Sequence, residues 1–264
     1  MSGNILRTLA DNARIRVQNS MKVVSPSEMA NLAKKMDCDT GFPFEKALKA
    51  EGMSFICECK KASPSKGIIS EDFPYLDIAG DYEKAGADCI SVLTEPVWFK
   101  GSTKYLKEIS DEVSIPCLRK DFTIDEYMIY EAVTCGASAV LLICSILDSK
   151  TLGRYIRLCD ELGLSALVEA HDSNEVEMGL GEGARIIGVN NRNLRDFTVD
   201  PTNCLRLREI VGDRALFVAE SGVKTHEDVV KLTKERCDAV LIGESMMRSE
   251  DKVAFLKELR YGND

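Results

Sequence analysis

The sequence predicts an α/β fold, a closed (β/α)8 TIM barrel with an N-terminal helical extension, on three observations. Eight short apolar or β-branched runs punctuate the chain, helix-length segments with start and stop signals separate them, and 264 residues suit a barrel of this type. Strand and helix in alternation favour right-handed crossovers and a parallel sheet, and eight units favour closure over an open sheet. One domain over residues 1–264 is expected, of which 1–47 form the extension.

Within that extension, residues 5–17 and 27–36 carry helical patterns. They serve either as a stabilising cap or as a cover over the barrel mouth that helps to bind a substrate. The expected strands are then residues 55–60, 89–93, 116–120, 139–143, 166–169, 186–190, 216–220 and 239–243. After the third of these, Thr123 and Glu126 form a capping-box pattern, Ile124, Met128 and Ala132 recur at four-residue spacing, and Gly136 follows as a stop. Thr225 with Asp228 opens another helix carrying Val229 and Leu232, and Thr151 starts one carrying Leu152, Ile156 and Cys159. Gly179, Gly181 and Gly183 precede a strand and lack GxGxxG spacing, so they read as a turn between helix and strand, and no Walker sequence is present.

Composition narrows the function. A net charge of −9 leaves no basic footprint, which argues against nucleic acid and anionic membrane as partners. The ten cysteines are scattered singly without a CxxC pair, and they read as reduced thiols in core positions. The first twenty residues lack an apolar targeting segment and the longest apolar run, 139–144, is too short to span a bilayer, so a cytoplasmic location is expected. With only His171 and His226, and no Cys/His cluster, a zinc site is not expected, and catalysis falls to carboxylates and lysines.

In such barrels the chemistry sits at the C-terminal ends of the strands. There the sequence places Glu58 and Lys60, Arg119-Lys120-Asp121, Glu169, Asn190-Asn191-Arg192, and Glu220-Ser221-Gly222. Period-two alternation puts Glu58 and Lys60 on one face, with Cys57 and Cys59 on the other. Strand ends meet polar loops, so a structural ion pair accounts for any one of these charges; recurrence at four strand ends argues otherwise for the set. Ser221-Gly222 and Gly243-Glu244-Ser245 close the last two strands with small residues that let backbone N–H groups approach a phosphate.

The run from Phe55 to Gly67 contains Glu58-x-Lys60-x-x-Ser63-Pro64-Ser65, which resembles the signature of indole-3-glycerol phosphate synthases. The resemblance continues through Leu93-Thr94-Glu95 with Phe99, Arg119 to Phe122, Val168-Glu169, Gly188 to Leu194, Glu220 to Gly222 and Ile242 to Arg248, and so covers essentially the whole chain. It implies closure of the indole ring of 1-(2-carboxyphenylamino)-1-deoxyribulose 5-phosphate, with release of carbon dioxide and water and with neither metal nor organic cofactor. By the same resemblance Lys120 is the general acid at the ribulose carbonyl. Lys60 binds the substrate carboxylate and helps to protonate the departing hydroxyl, while Glu169 takes or relays a proton in dehydration. Glu58, Asn190 and Ser221 orient these groups, with Arg192 in support. Ser63 belongs to the substrate site, the phosphate rests on the backbone of Gly222, Gly243 and Glu244, and the anilino ring lies against Phe99, Phe122 and Leu141.

The implied partner is therefore a small phosphosugar, bound by a chain expected to be a monomer. Two other readings stand beside it. Another phosphate-binding barrel such as phosphoribosylanthranilate isomerase is disfavoured by the Glu-x-Lys-x-x-Ser-Pro-Ser run, and a catalytically silent barrel that binds a phosphosugar or acts as a scaffold would require lost catalytic residues, of which none is seen.

Overall fold

In a computed structural model, which describes residues 5–192 and 198–262, eight parallel strands close into a barrel. They are β1 (Ser54–Cys59), β2 (Cys89–Leu93), β3 (Cys117–Lys120), β4 (Ala139–Ile143), β5 (Ser165–Ala170), β6 (Ile186–Asn190), β7 (Leu216–Glu220) and β8 (Ala239–Ile242). Each pairs with its neighbours in chain order, and β1 returns to β8 with Ser54 opposite Ala239. The apolar runs of the sequence thus become the strands, to within a residue or two at either end. The structure ends β1 at Cys59, leaving Lys60 as the first residue of the following loop, which folds back as a short antiparallel ladder of Ala62–Ser63 with Gly67–Ile68.

Period two divides the strand residues between two cores. Phe55, Cys57 and Cys59 face outward into the layer between sheet and helices, together with Ile90, Val92, Val140 and Val168. Ile56, Leu118, Leu167 and Val218 face inward and fill the barrel. Those four come from β1, β3, β5 and β7, the alternate-strand layering that fills barrels of this kind. Two residues further along the same strands the inward positions are Glu58, Lys120, Glu169 and Glu220. The uppermost layer is therefore charged where an apolar one would pack.

Helix starts follow local side-chain chemistry, with two corrections. Helix α6 (Glu126–Thr134) is capped by Asp125, whose carboxylate accepts from the Tyr127 N–H, and not by Thr123, which is buried. Likewise α7 (Ser149–Glu161) begins under Asp148, and Thr151 is the residue whose N–H that carboxylate accepts. In both cases the Asp immediately before the helix takes the capping position for which the sequence offered a Thr. The Thr225–Asp228 capping box does form, at the start of α10 (His226–Lys234). Gly179 lies inside α8 (Ser173–Gly181) rather than in a turn, where a methyl group would press on Ile187 and Val168 at 3.1 Å.

The extension does two jobs at opposite ends of the barrel. Helix α1 (Ile5–Val23) sends Leu6, Leu9 and Ala13 into the same apolar cluster as Phe122 and Leu141, and Arg16 donates to Asp121 Oδ1 at 2.7 Å in the loop after β3. It therefore covers the mouth. Helix α3 (Pro43–Leu48), absent from the sequence reading, adds Phe44 and Leu48 to the interior from the other end, where Ser54 Oγ at the start of β1 donates to Ala47 O. Helix α2 (Pro26–Lys34) packs through Met29 on Tyr127 and Met128 of α6. Among the described residues no helix is long and apolar enough to cross a membrane.

Candidate active site

The charged layer is compact. Lys120 Nζ lies 3.4 Å from Glu220 Oε2, 3.9 Å from Glu169 Oε2 and 4.0 Å from Glu58 Oε2, and Lys60 Nζ lies 2.7 Å from Glu58 Oε1. Four elements separated along the chain deliver these groups because each ends at the mouth with an inward-facing position. The three carboxylates and Lys120 are nearly removed from water, so their charges act on one another through a poorly screening medium.

The consequences differ group by group. Burial opposes the charge on Lys120, but Glu220, Glu58 and Glu169 outweigh it and hold the ammonium above the ordinary lysine range. Burial also works against Glu58, yet Lys60, Lys120 and Arg192 keep its carboxyl below the usual range. Glu220 goes the other way: burial, with Glu169 and Glu58 nearby, outweighs Lys120 and pushes its carboxyl up to about 8. The site thus sets an ammonium held above its ordinary range beside one carboxyl held low and one pushed high within one layer.

The residues around the layer set its geometry. Arg119, between Lys120 and the outer core, is buried and donates to Met128 O at 2.8 Å and to Glu131 Oε2 at 2.7 Å. Asp121, on its other side, accepts from Arg16 and from the Phe122 N–H. Together they fix the end of β3 from which Lys120 projects. The Glu95 carboxylate accepts from the N–H groups of Val97, Trp98 and Phe99, and that loop sets Phe99 against Phe122 with ring centroids 6.1 Å apart. Phe99 and Phe122 share the interior cluster with Leu141, so the three form one apolar wall beneath α1.

Asn190 lies opposite Glu220 in the β6–β7 register, and its Oδ1 accepts from the Arg192 N–H at 3.0 Å. Ser221 adopts a left-handed backbone at φ 66°, followed by Gly222 at 91°, and Asn191 Nδ2 donates to Ser221 O at 3.0 Å to hold that turn. Gly243 opens the short helix α11 (Glu244–Arg248), whose first N–H groups have no partner within the helix. The Glu244 side chain turns to Arg248 Nε at 3.2 Å and Lys66 Nζ at 3.5 Å, leaving its backbone as the part available to a ligand. Ser63 lies in the hairpin after Lys60. Asn193 and Leu194 of the motif after β6 lie outside the described residues.

At Gly243 the backbone passes close against the Glu58–Lys60 pair. A Cβ there would collide with Glu58 Oε1 and lie 2.7 Å from Lys60 Nζ. Since its φ is −114°, alanine strains only the contact and not the backbone. Gly243→Ala is expected to keep the far-ultraviolet circular dichroism of the parent while lowering kcat/KM by roughly tenfold to a hundredfold, as misplaced catalytic groups do. Unchanged kinetics would show that the Glu58–Lys60 pair tolerates displacement.

The sequence reading singled out Glu58, Lys60, Lys120 and Glu169, and the structure brings them together. It did not single out Glu220 or His171. Glu220 stands among the strand-end residues of the sequence, two positions past Val218 at the end of β7, but with no role of its own assigned to it. His171 directly follows β5, with Nε2 3.4 Å from Glu169 Oε1. Among the described residues, no three His, Cys, Asp or Glu side chains are grouped so as to hold a metal ion.

Known proteins resemble this chain over nearly its whole length. The model of the family described as indole-3-glycerol phosphate synthase matches residues 6–259. A protein of that name from Ruminiclostridium cellulolyticum is 57% identical over 256 residues, covering 97% of this chain and 98% of its own length. One from Lacticaseibacillus casei is 51% identical over 257 residues, covering 96% and 99%. Among solved structures, 3-hexulose-6-phosphate synthase superposes with a TM-score of 0.65 at 17% identity over 80% of this chain and all of that one, a likeness of fold alone.

Proposed function

Since the chain belongs to the indole-3-glycerol phosphate synthase family and is a carboxy-lyase of tryptophan biosynthesis, we propose that its ring closure is driven by the charged layer around Lys120. The observation that carries this reading is one largely buried ammonium surrounded by three glutamate side chains, beside an apolar wall of Phe99, Phe122 and Leu141.

The substrate would lay its anilino ring against that wall, its carboxylate on Lys60, and its phosphate on the backbone N–H groups of Gly222, Gly243 and Glu244. The ring carbon bearing the carboxylate attacks the ribulose carbonyl, whose oxygen gains negative charge as the carbon–carbon bond forms. Lys120 stabilises that charge and delivers a proton to it. Loss of carbon dioxide restores the aromatic ring. The new hydroxyl then leaves as water, protonated with the help of Lys60, while Glu169 takes the proton whose removal completes the indole. Glu58, held low by Lys60 and Lys120, orients both ammonium groups, and Asn190 and Ser221 orient the substrate hydroxyls with Arg192 in support.

The reading includes a cytosolic monomer, acting as one domain on a small phosphorylated substrate, with neither metal nor organic cofactor. Purified protein stripped of metal and mixed with 1-(2-carboxyphenylamino)-1-deoxyribulose 5-phosphate is expected to produce indole fluorescence promptly. Folded protein that yields none, or yields it only when metal is restored, would overturn the reading.

A further inference from the structure

His171 stands outside the reaction as described, yet it is built into the site. Its Nε2 lies 3.4 Å from Glu169 Oε1 and its Nδ1 3.3 Å from Glu175 Oε2. Glu175, in the first turn of α8, is itself fixed, because its Oε2 also accepts from the His171 N–H at 2.7 Å. From α9 (Thr202–Val211), Asn203 Nδ2 donates to His171 O at 3.4 Å. Nε2 and Glu169 Oε1 are both buried with no properly directed hydrogen bond, although they face each other at that distance. Glu169 therefore has Oε2 toward Lys120 and Oε1 toward His171.

We propose that His171 is a positioning residue for dehydration: its imidazolium, braced by Glu175, holds one oxygen of Glu169 and leaves the other aimed at Lys120 and the substrate. This rests on the assignment of dehydration to Glu169. His171 exchanges no proton with the substrate; it fixes the carboxylate that does. Burial works against its charge, but Glu175 of α8, Glu169 of β5 and Glu220 of β7 outweigh that and raise the imidazole to about 9, so it is charged at neutral pH. Asn203 is its neutral neighbour from α9.

The two halves of the reaction separate this role from a merely structural one. With substrate labelled in the carboxyl carbon, single-turnover release of labelled carbon dioxide reports ring closure and decarboxylation, and indole fluorescence reports dehydration. In His171→Gln, indole formation is expected to slow by roughly tenfold to a hundredfold while carbon dioxide release stays within about twofold. In the wild type, indole formation is expected to fall as pH rises through about 9, where the imidazolium loses its proton, without a matching fall in carbon dioxide release. That limb should be missing from the Gln variant. Equal slowing of both stages, or an unchanged profile, overturns the proposal. If the variant does not fold, a parallel fall of the two wild-type stages through pH 9 overturns it equally. Wild-type protein that releases no carbon dioxide at all would instead overturn the assigned function.

Discussion

Replacing Lys120 by methionine is expected to lower kcat by about a thousandfold or more while KM changes only a few-fold. The proposed role concentrates two effects in one ammonium, proton donation to the carbonyl oxygen and stabilisation of the charge that develops there, and each is worth roughly a hundredfold or more. Methionine keeps the length and apolar stem of lysine but has nothing to donate, so the barrel interior stays filled while the chemistry is removed. Substrate affinity should survive, because the phosphate and the anilino ring are assigned to the loops after β7 and β8 and to the wall of Phe99, Phe122 and Leu141. Steady-state indole fluorescence over a range of substrate concentrations measures both constants. A kcat within about tenfold of the parent would remove Lys120 from the role of general acid.

The largest effect on stability is expected at Asp121. Its carboxylate accepts from Arg16 and from the Phe122 N–H, receives the Thr94 hydroxyl, and lies 3.5 Å from Arg119, itself wholly buried. Asp121→Ala strands Arg119 with only part of its compensation and unties α1 from the mouth. Breaking such a buried network costs about 3–5 kcal/mol, a large part of the stability of an ordinary domain. Urea denaturation should show that loss; a change below about 1 kcal/mol would mean that the network contributes little. The wild type also has a pH signature here. Burial opposes the charge on Asp121, but Arg16 and Arg119 hold its carboxyl below the usual range, so its contribution is full at neutral pH and is lost as acid reaches that lowered value. Glu220 contributes with the opposite sign, since a carboxyl pushed up to about 8 costs stability as pH rises from the ordinary glutamate range toward 8.

Much of this was legible in the sequence because the signals were local. Glu58 and Lys60 had to share a face, two residues apart on an extended chain, and Cys57 and Cys59 had to face the helices; all four do. Helix caps were less legible, because Asp125 and Asp148 compete with Thr123 and Thr151 within a few residues and only backbone placement decides between them. Helix α3 escaped because it spans one and a half turns and is specified by what it plugs, through Phe44 and Leu48, rather than by its own periodicity. Glu220 and His171 received no role for a different reason: Glu220 stands at a strand end like its partners, but what either residue does comes from groups on β3 and β5 that approach only through tertiary structure.

The charged layer draws one residue from each of β1, β3, β5 and β7, so its members span the chain from Glu58 to Glu220. No contiguous fragment that stops short of β7 contains the set, and a barrel whose first and last strands have not met has no reason to hold it in register. During refolding, secondary structure and fluorescence can recover on partial assemblies, but turnover requires the last long-range pairing, Ser54 against Ala239. The return of catalysis therefore times the moment at which the ring of strands is sealed.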